Sequence, residues 1–529
     1  MQGNISHIKL YNLVMSHIEN ETTSLKKVDI YNYDVDDFEP ILIHELLMNI
    51  RLIIENEKLN NLQSMGVDIC CRILIEISAL LKASREGKLT DTQKKLFLLN
   101  YLAGDIQKQS QKGSQNDEIS RILNAKYDKV INEYQSLLNL DYKDAEYVSK
   151  GYFNFLQYGG TKSYKNFTGF VATILGTEFV SYRGKIDIFI HPSYTESELV
   201  VFNENLGQER EKIINRVLTL ASSFVPPFES EGYVKSKWNN EYISEEYLSV
   251  IKNVKKVFKA TFKFHSKDDR WNETKLSNHY DRWVLYSCFR KLEAALVDTF
   301  VCESLNLRTK SITRCKAFVE MTSMVGAIIK SEHVSETISE FVKFSALAVK
   351  MKESDSHEMF KKVDAHKKLN DKEEKMYLDY LADMDDWFGD FKNNHGYPEN
   401  EFEFAMRVRD SNLYFLSEKE NYSYPNLVHD TMNYYLKGTK TLTQLFNDYL
   451  WAEKIGHACA YQNLYRENKS FNLIPNMIDY LIVIFNKTFD TIVDEEDFCP
   501  TLTSIADNIR EQNKANHEQM LSSKYKIVR

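Results

Sequence analysis

A few charged and aromatic residues stand in strongly apolar runs and recur at matching places along the chain. Arg72 and Glu76, four apart, lie within ICCRILIEISALL, where almost every neighbour is aliphatic or a cysteine. Lys316 and Glu320 repeat that spacing within RCKAFVEMTSMV. Later, Tyr182 precedes His191 by nine positions and Tyr449 precedes His457 by eight. On a helix either spacing leaves the two side chains a little over two turns apart on similar faces. A histidine exchanges a proton near neutral pH and can serve as acid or base. Arg72 or Arg183 beside it would hold a phosphate and stabilise charge developing there, with Glu76 orienting the histidine or substrate. The same residues support a purely structural reading. A buried charge persists only when paired, because removing its partner costs about 3–5 kcal/mol. Arg72, Glu76 and a partner elsewhere then form one network that staples helices together.

The elements that must position these residues are helices. Leu46, Ile50, Ile53 and Ile54 recur at i, i+4, i+7 and i+8, with Leu47 adjoining them, the stripe of an amphipathic helix. The next segment, 65–83, is apolar all round and is expected to lie deeper. Thr90 or Asp91 can cap a further helix over 89–109. More helical runs cover 113–139, 166–190 and 207–224. Only 18 glycines and 8 prolines punctuate 529 residues, a shortage of turn formers that points to an all-α protein.

Sliding the sequence along itself exposes a repeat. An offset of 244 lays Cys71 on Cys315, Arg72 on Lys316, Glu76 on Glu320 and Phe97 on Phe341. Further on, Phe155 meets Phe415 and Tyr164 meets Tyr424, then Tyr182 and His191 fall beside Tyr449 and His457. The offset grows along the chain, as insertions in a second copy would produce. The expected organisation is two tandem, diverged helical bundles over 40–224 and 281–490. An N-terminal segment over 1–39 precedes them. A linker with inserted helices lies over 225–280, opening at the Pro226–Pro227 pair, and a tail helix lies over 491–529.

Arg-x-x-x-Glu on an early helix, followed late by Tyr-x(7–8)-His-Pro-Ser, resembles a family of bacterial helical-bundle domains of unknown function. Their layout is similar to that of HEPN domains, many of which are metal-independent ribonucleases of toxin–antitoxin and phage-defence systems. The HEPN hallmark is R-x(4–6)-H on a late helix, with a charged residue from an earlier one. Here Arg183 precedes His191 with seven residues between, and the second copy places Lys454 before His457 with no arginine at the expected spacing. The resemblance implies a defence or toxin-type ribonuclease, with His191 as acid–base, Arg183 at the scissile phosphate, and RNA as partner. The competing reading is a non-catalytic scaffold that binds a protein partner or a second copy of itself, its Arg–Glu–His network structural. A third is a small-ligand sensor lodged in a bundle core.

The bulk chemistry limits the alternatives. A formal net charge of −9 gives no global attraction to nucleic acid, so RNA binding would need a local basic patch. Lys252, Lys255, Lys256 and Lys259 flank an apolar stripe of Ile251, Val254, Val257 and Phe258. That row either meets phosphates or is a solvated helix face. The seven cysteines show no C-x-x-C spacing and read as small buried hydrophobes of a reducing, cytoplasmic compartment. His44-Glu45 lacks the second histidine of a zincin, YGGTKS lacks the phosphate-loop pattern, and no G-x-S-x-G elbow is present. No metal or cofactor is implied. The longest apolar run, YLIVIF, is far short of a membrane span.

Overall fold

A computed structural model describes residues 7–21, 35–99, 117–150, most of 154–190, 206–226, 243–265, 279–305, 307–352, most of 359–382, 422–455, 472–488 and 498–527, with a few positions near 413. Every regular element among them is helical. In chain order the first helices are α1 (His7–Glu21), α2 (Phe38–Lys58), α3 (Met65–Arg85), α4 (91–99), α5 (Asp117–Leu138), α6 (Tyr142–Lys150), α7 (Phe167–Leu175), α8 (Thr177–Ile190) and α9 (Leu206–Ser222). There follow α10 (Glu245–His265), α11 (His279–Ser304), α12 (Arg308–Lys330), α13 (Val334–Lys352), α14 (371–382), α15 (Tyr424–Tyr435), α16 (Lys440–Ile455), α17 (Leu473–Thr488) and α18 (Phe498–Ile527). No helix among the described residues is long and apolar enough to cross a membrane.

Local chemistry sets the helix starts and stops. The Ser64 hydroxyl accepts from Gly66 N at 3.0 Å and caps α3, and Asn166 caps α7 through Gly169 N at 2.7 Å. Gly176, at φ 99°, stops α7 one residue before α8 begins, a conformation open to a residue without Cβ. Proline stands in the first turn of α15, where its missing N–H costs nothing.

Two helices carry the packing. α3 contacts α2, α7, α8 and α9; α12 contacts α11, α15, α16 and α17 in the same chain order. α10, in the stretch read from sequence as linker and insert, packs along α11 as α1 packs along α2. Both central helices are buried on nearly every side; α3 is accordingly apolar almost all round rather than striped, while α12 also buries Lys310, Ser311, Thr313, Arg314, Thr322 and Ser323. Edge-to-face rings reinforce each group: Phe38–Phe97–Phe155 at 5.2 and 5.1 Å in one, Phe289–Phe485 at 5.5 Å in the other. The groups meet where α2 and α3 touch α11, and where α3 touches α12.

Candidate functional site

Asp68, Arg72 and Glu76 fall at i, i+4 and i+8 and so share one face of α3. Three opposite charges face them. Arg210 of α9 donates through Nε to Asp68 Oδ1 at 3.0 Å and through Nη2 to Oδ2. Arg72 Nη1 reaches Asp187 Oδ1 at 3.3 Å, and Arg183 Nε reaches Glu76 Oε1 at 3.1 Å. Position 187 pairs with 72 and 183 with 76, so α8 runs antiparallel to α3. Sign alternates along the ladder, and every rung joins two helices.

Burial sharpens each pairing. Glu76 is fully buried and the Arg183 side chain is 17% exposed. Arg183 Nη1 also donates to Thr168 Oγ1 at 3.4 Å, with its guanidinium 5.8 Å from the Phe167 ring centroid. The second carboxylate oxygen of Glu76 is buried without a hydrogen-bond partner. Burial pushes the Glu76 carboxyl up, against the pull of Arg183 and Arg72. Asp68 is likewise raised by burial and opposed by Arg210.

The second group keeps only part of this arrangement. Ile312 stands where the first carries Asp68. Lys316 Nζ lies 3.9 Å from Glu320 Oε1, and that carboxylate accepts instead from the buried Tyr449 hydroxyl at 3.1 Å. The tyrosines aligned in sequence therefore differ in role. Tyr182 is half-buried and donates to Glu178 on its own helix. His191 and His457 lie outside the described residues, just beyond Ile190 and Ile455, where α8 and α16 end.

Among the lysines of α10, Lys252, Lys256 and Lys259 are exposed while Ile251, Val254 and Phe258 face inward. Lys255 is turned to the protein and donates to Leu59 O at 2.6 Å and Asn60 O at 3.4 Å, capping the C-terminus of α2.

A second buried network, between the two groups, was not singled out from sequence. Arg314 of α12 donates through Nε to Asp298 Oδ2 at 2.6 Å and through Nη2 to Gly66 O at 3.2 Å and Cys70 Sγ at 3.0 Å. Asp298 also accepts from Asn56 Nδ2 at 2.6 Å, and Asn61 Nδ2 bridges Asn56 Oδ1 and Ala294 O at 2.7 and 3.1 Å. Lys310 Nζ pairs with Glu45 Oε2 at 2.9 Å. Burial opposes the charge on Arg314, but the adjacent Asp298 carboxylate pushes its pKa upward. A Cβ at Gly66 would come within 1.5 Å of Asp298 Oδ2, so only glycine admits the contact. The usable signal was a lone charge in an apolar run for Asp298 in AALVDTFVC, the same mark that exposed Arg72 and Glu76; Arg314, two residues before Lys316 in SITRCKAF, carried a weaker one.

Cys70, Cys71, Cys288, Cys302 and Cys315 are buried and outside any disulfide. Burial pushes the Cys70, Cys71, Cys302 and Cys315 thiols up, which leaves them poor nucleophiles. Among the described residues no three side chains of the histidine, cysteine and acidic types group as a metal site. No protein-family model matches the sequence, and neither a curated protein nor a solved structure matches it.

Proposed function

We propose that the protein is a non-catalytic helical scaffold built from two diverged copies of one bundle, with the Arg–Glu network holding helices rather than reacting. The carrying observation is the pairing of Glu76. A fully buried carboxylate bonded to Arg183, inside a ladder whose other rungs are also paired, is organised to join α3 to α8 and α9. In the second copy a tyrosine hydroxyl takes the place of the arginine at Glu320, which keeps a tie between helices and discards the phosphate-binding group.

The duplication is supported by the shared order of packing around α3 and α12. It is supported further by the contact of Arg314 with Cys70, which are 244 positions apart. That separation is the offset that aligns the copies. A position meeting its own counterpart is what a two-fold relation between them requires.

HEPN-like RNA cleavage is the second reading, favoured by one observation. Arg183 sits on the helix that leads directly into His191. One experiment separates the two. The purified chain is incubated with single-stranded RNA, and Arg183→Ala and His191→Ala are compared by melting and by cleavage. The scaffold reading expects no cleavage by the parent chain and a lower melting temperature for Arg183→Ala. Cleavage lost in His191→Ala with melting unchanged would overturn it.

A further inference from the structure

A small pocket lies where the α2–α3 turn meets α9, α10 and α11, on the seam between the two groups. Its cavity volume is about 70 Å³, and Arg210, Lys255, Arg290 and Lys291 line it with a single carboxylate, Glu293. Four cations around one acid are unexpected in a chain of net charge −9. They arrive from three helices of both groups, so no single solvated helix face accounts for them.

Fixed contacts hold several of these cations in place. Asp68 grips Arg210 from inside the core, the carbonyls of Leu59 and Asn60 hold Lys255, and Glu293 lies 2.9 Å from Arg290. Asp68 and Glu293 offset part of the charge. Asn60 and Gln63 add amide groups to the wall. Burial works most strongly against the proton on Lys255, Glu293 favours it, and the nearby Arg290 charge opposes it by less. An anion in this partly dry site would offset the burial cost of the Lys255 charge and the like charge of Arg290 beside it. On a measure of about 10–15 Å³ per water the cavity holds roughly five water-sized volumes. That is room for one tetrahedral oxyanion, with no space for an attached ring.

We propose that this seam pocket binds a phosphoryl group, either free inorganic phosphate or the terminal phosphate of a small phosphomonoester whose remainder stays outside. Guanidinium forks and an ammonium are the groups that recognise such an oxyanion. Because Lys255 and Arg290 belong to one group and the α2–α3 turn and Arg210 to the other, occupancy would tie the two together. The inference does not depend on the scaffold reading, since the pocket shares only Arg210 with the ladder.

The test uses the full chain, with inorganic phosphate and adenosine monophosphate as probes against chloride at equal ionic strength. Melting temperature and calorimetric affinity are read for the parent chain, for Arg290→Ala/Lys291→Ala, and for Lys252→Ala/Lys256→Ala on the outer face of α10. A phosphate-dependent rise in melting temperature is expected in the parent and outer-face variant. The pocket variant, which also takes Arg290 from the buried Glu293, should melt lower without ligand, show no phosphate-dependent rise and bind at least tenfold more weakly. Tighter binding of adenosine monophosphate would identify a phosphomonoester, and binding of phosphate alone the free ion. The proposal is overturned if phosphate gives no rise beyond chloride, or if the pocket variant keeps the full response. Arg290→Lys, which retains charge without the fork, should recover part of the affinity; failure of a pocket variant to fold would be bypassed by this substitution and read in the same assay.

Discussion

α3 and α12 occupy corresponding places in their two groups, yet they satisfy a buried glutamate in different ways. Around α3 the partner is an arginine within a ladder of alternating charge, Asp68–Arg210, Arg72–Asp187 and Glu76–Arg183. Around α12 the ladder shrinks to Lys316, Glu320 and the Tyr449 hydroxyl, with Ile312 in place of the aspartate. A charged donor and a neutral one serve the same carboxylate. The shared requirement is a donor from the late helix, which is a demand of packing rather than of phosphate chemistry.

The largest expected effect breaks the contact between the two central helices themselves. Arg314→Ala leaves Asp298 buried, and should cost about 3–5 kcal/mol in urea unfolding. Arg314→Met with Asp298→Leu should recover much of that loss. A cost below about 1 kcal/mol for the single variant would mean that the pair does not hold the seam.

Next come the two partner deletions that define the contrast. Arg183→Met strips the ion-pair donor from fully buried Glu76 and should cost about 3 kcal/mol. Tyr449→Phe removes one hydroxyl donor from Glu320 and should cost about 1.5 kcal/mol. Equal losses in thermal or urea unfolding would erase the distinction between a charged and a neutral tie.

Exchanging the ties sharpens the comparison further. Glu320→Gln keeps an acceptor for the Tyr449 hydroxyl, so it should cost under about 1 kcal/mol. Glu76→Gln gives up the charge facing two arginines but is relieved of the burial cost that raises the carboxyl, so near neutral pH it should cost less than Arg183→Met, read from the same unfolding curves.

The smallest effect is a pH slope. Burial raises the Glu76 carboxyl above its ordinary value of 4.5, so the folded chain binds that proton more tightly than the unfolded chain. The stability it contributes is full below 4.5 and is lost as pH rises through the raised folded value. The melting temperature of the parent chain, taken relative to Glu76→Gln, should therefore fall as pH climbs from about 4.5 towards neutrality. A difference that stays flat or rises would reverse the assignment.

Much of this organisation was legible in the residues. Apolar periodicity and the scarcity of glycine and proline led to helices, and uniform apolarity placed 65–83 in the interior. Arg72 and Glu76 stood out as charges that could survive in such a segment only if paired. Their partners could not be named, because Asp187 and Arg183 lie more than a hundred residues away. Which turn of α8 faces which turn of α3 depends on helix register and direction. Lys255 shows the same limit. Its spacing matches the exposed lysines around it, and only the approach of the α2–α3 turn makes it an inward-facing cap.

The sequence by itself determined the helical class, the buried charges that demand partners, and the 244-residue offset between like segments, since these rest on composition and spacing alone. The tertiary structure decided which charges meet. It set Arg314 against Asp298 and Cys70, Arg183 against Glu76, and four cations around one pocket. Pairing energies depend on distance and burial, and those quantities exist only once helices distant in the chain have packed.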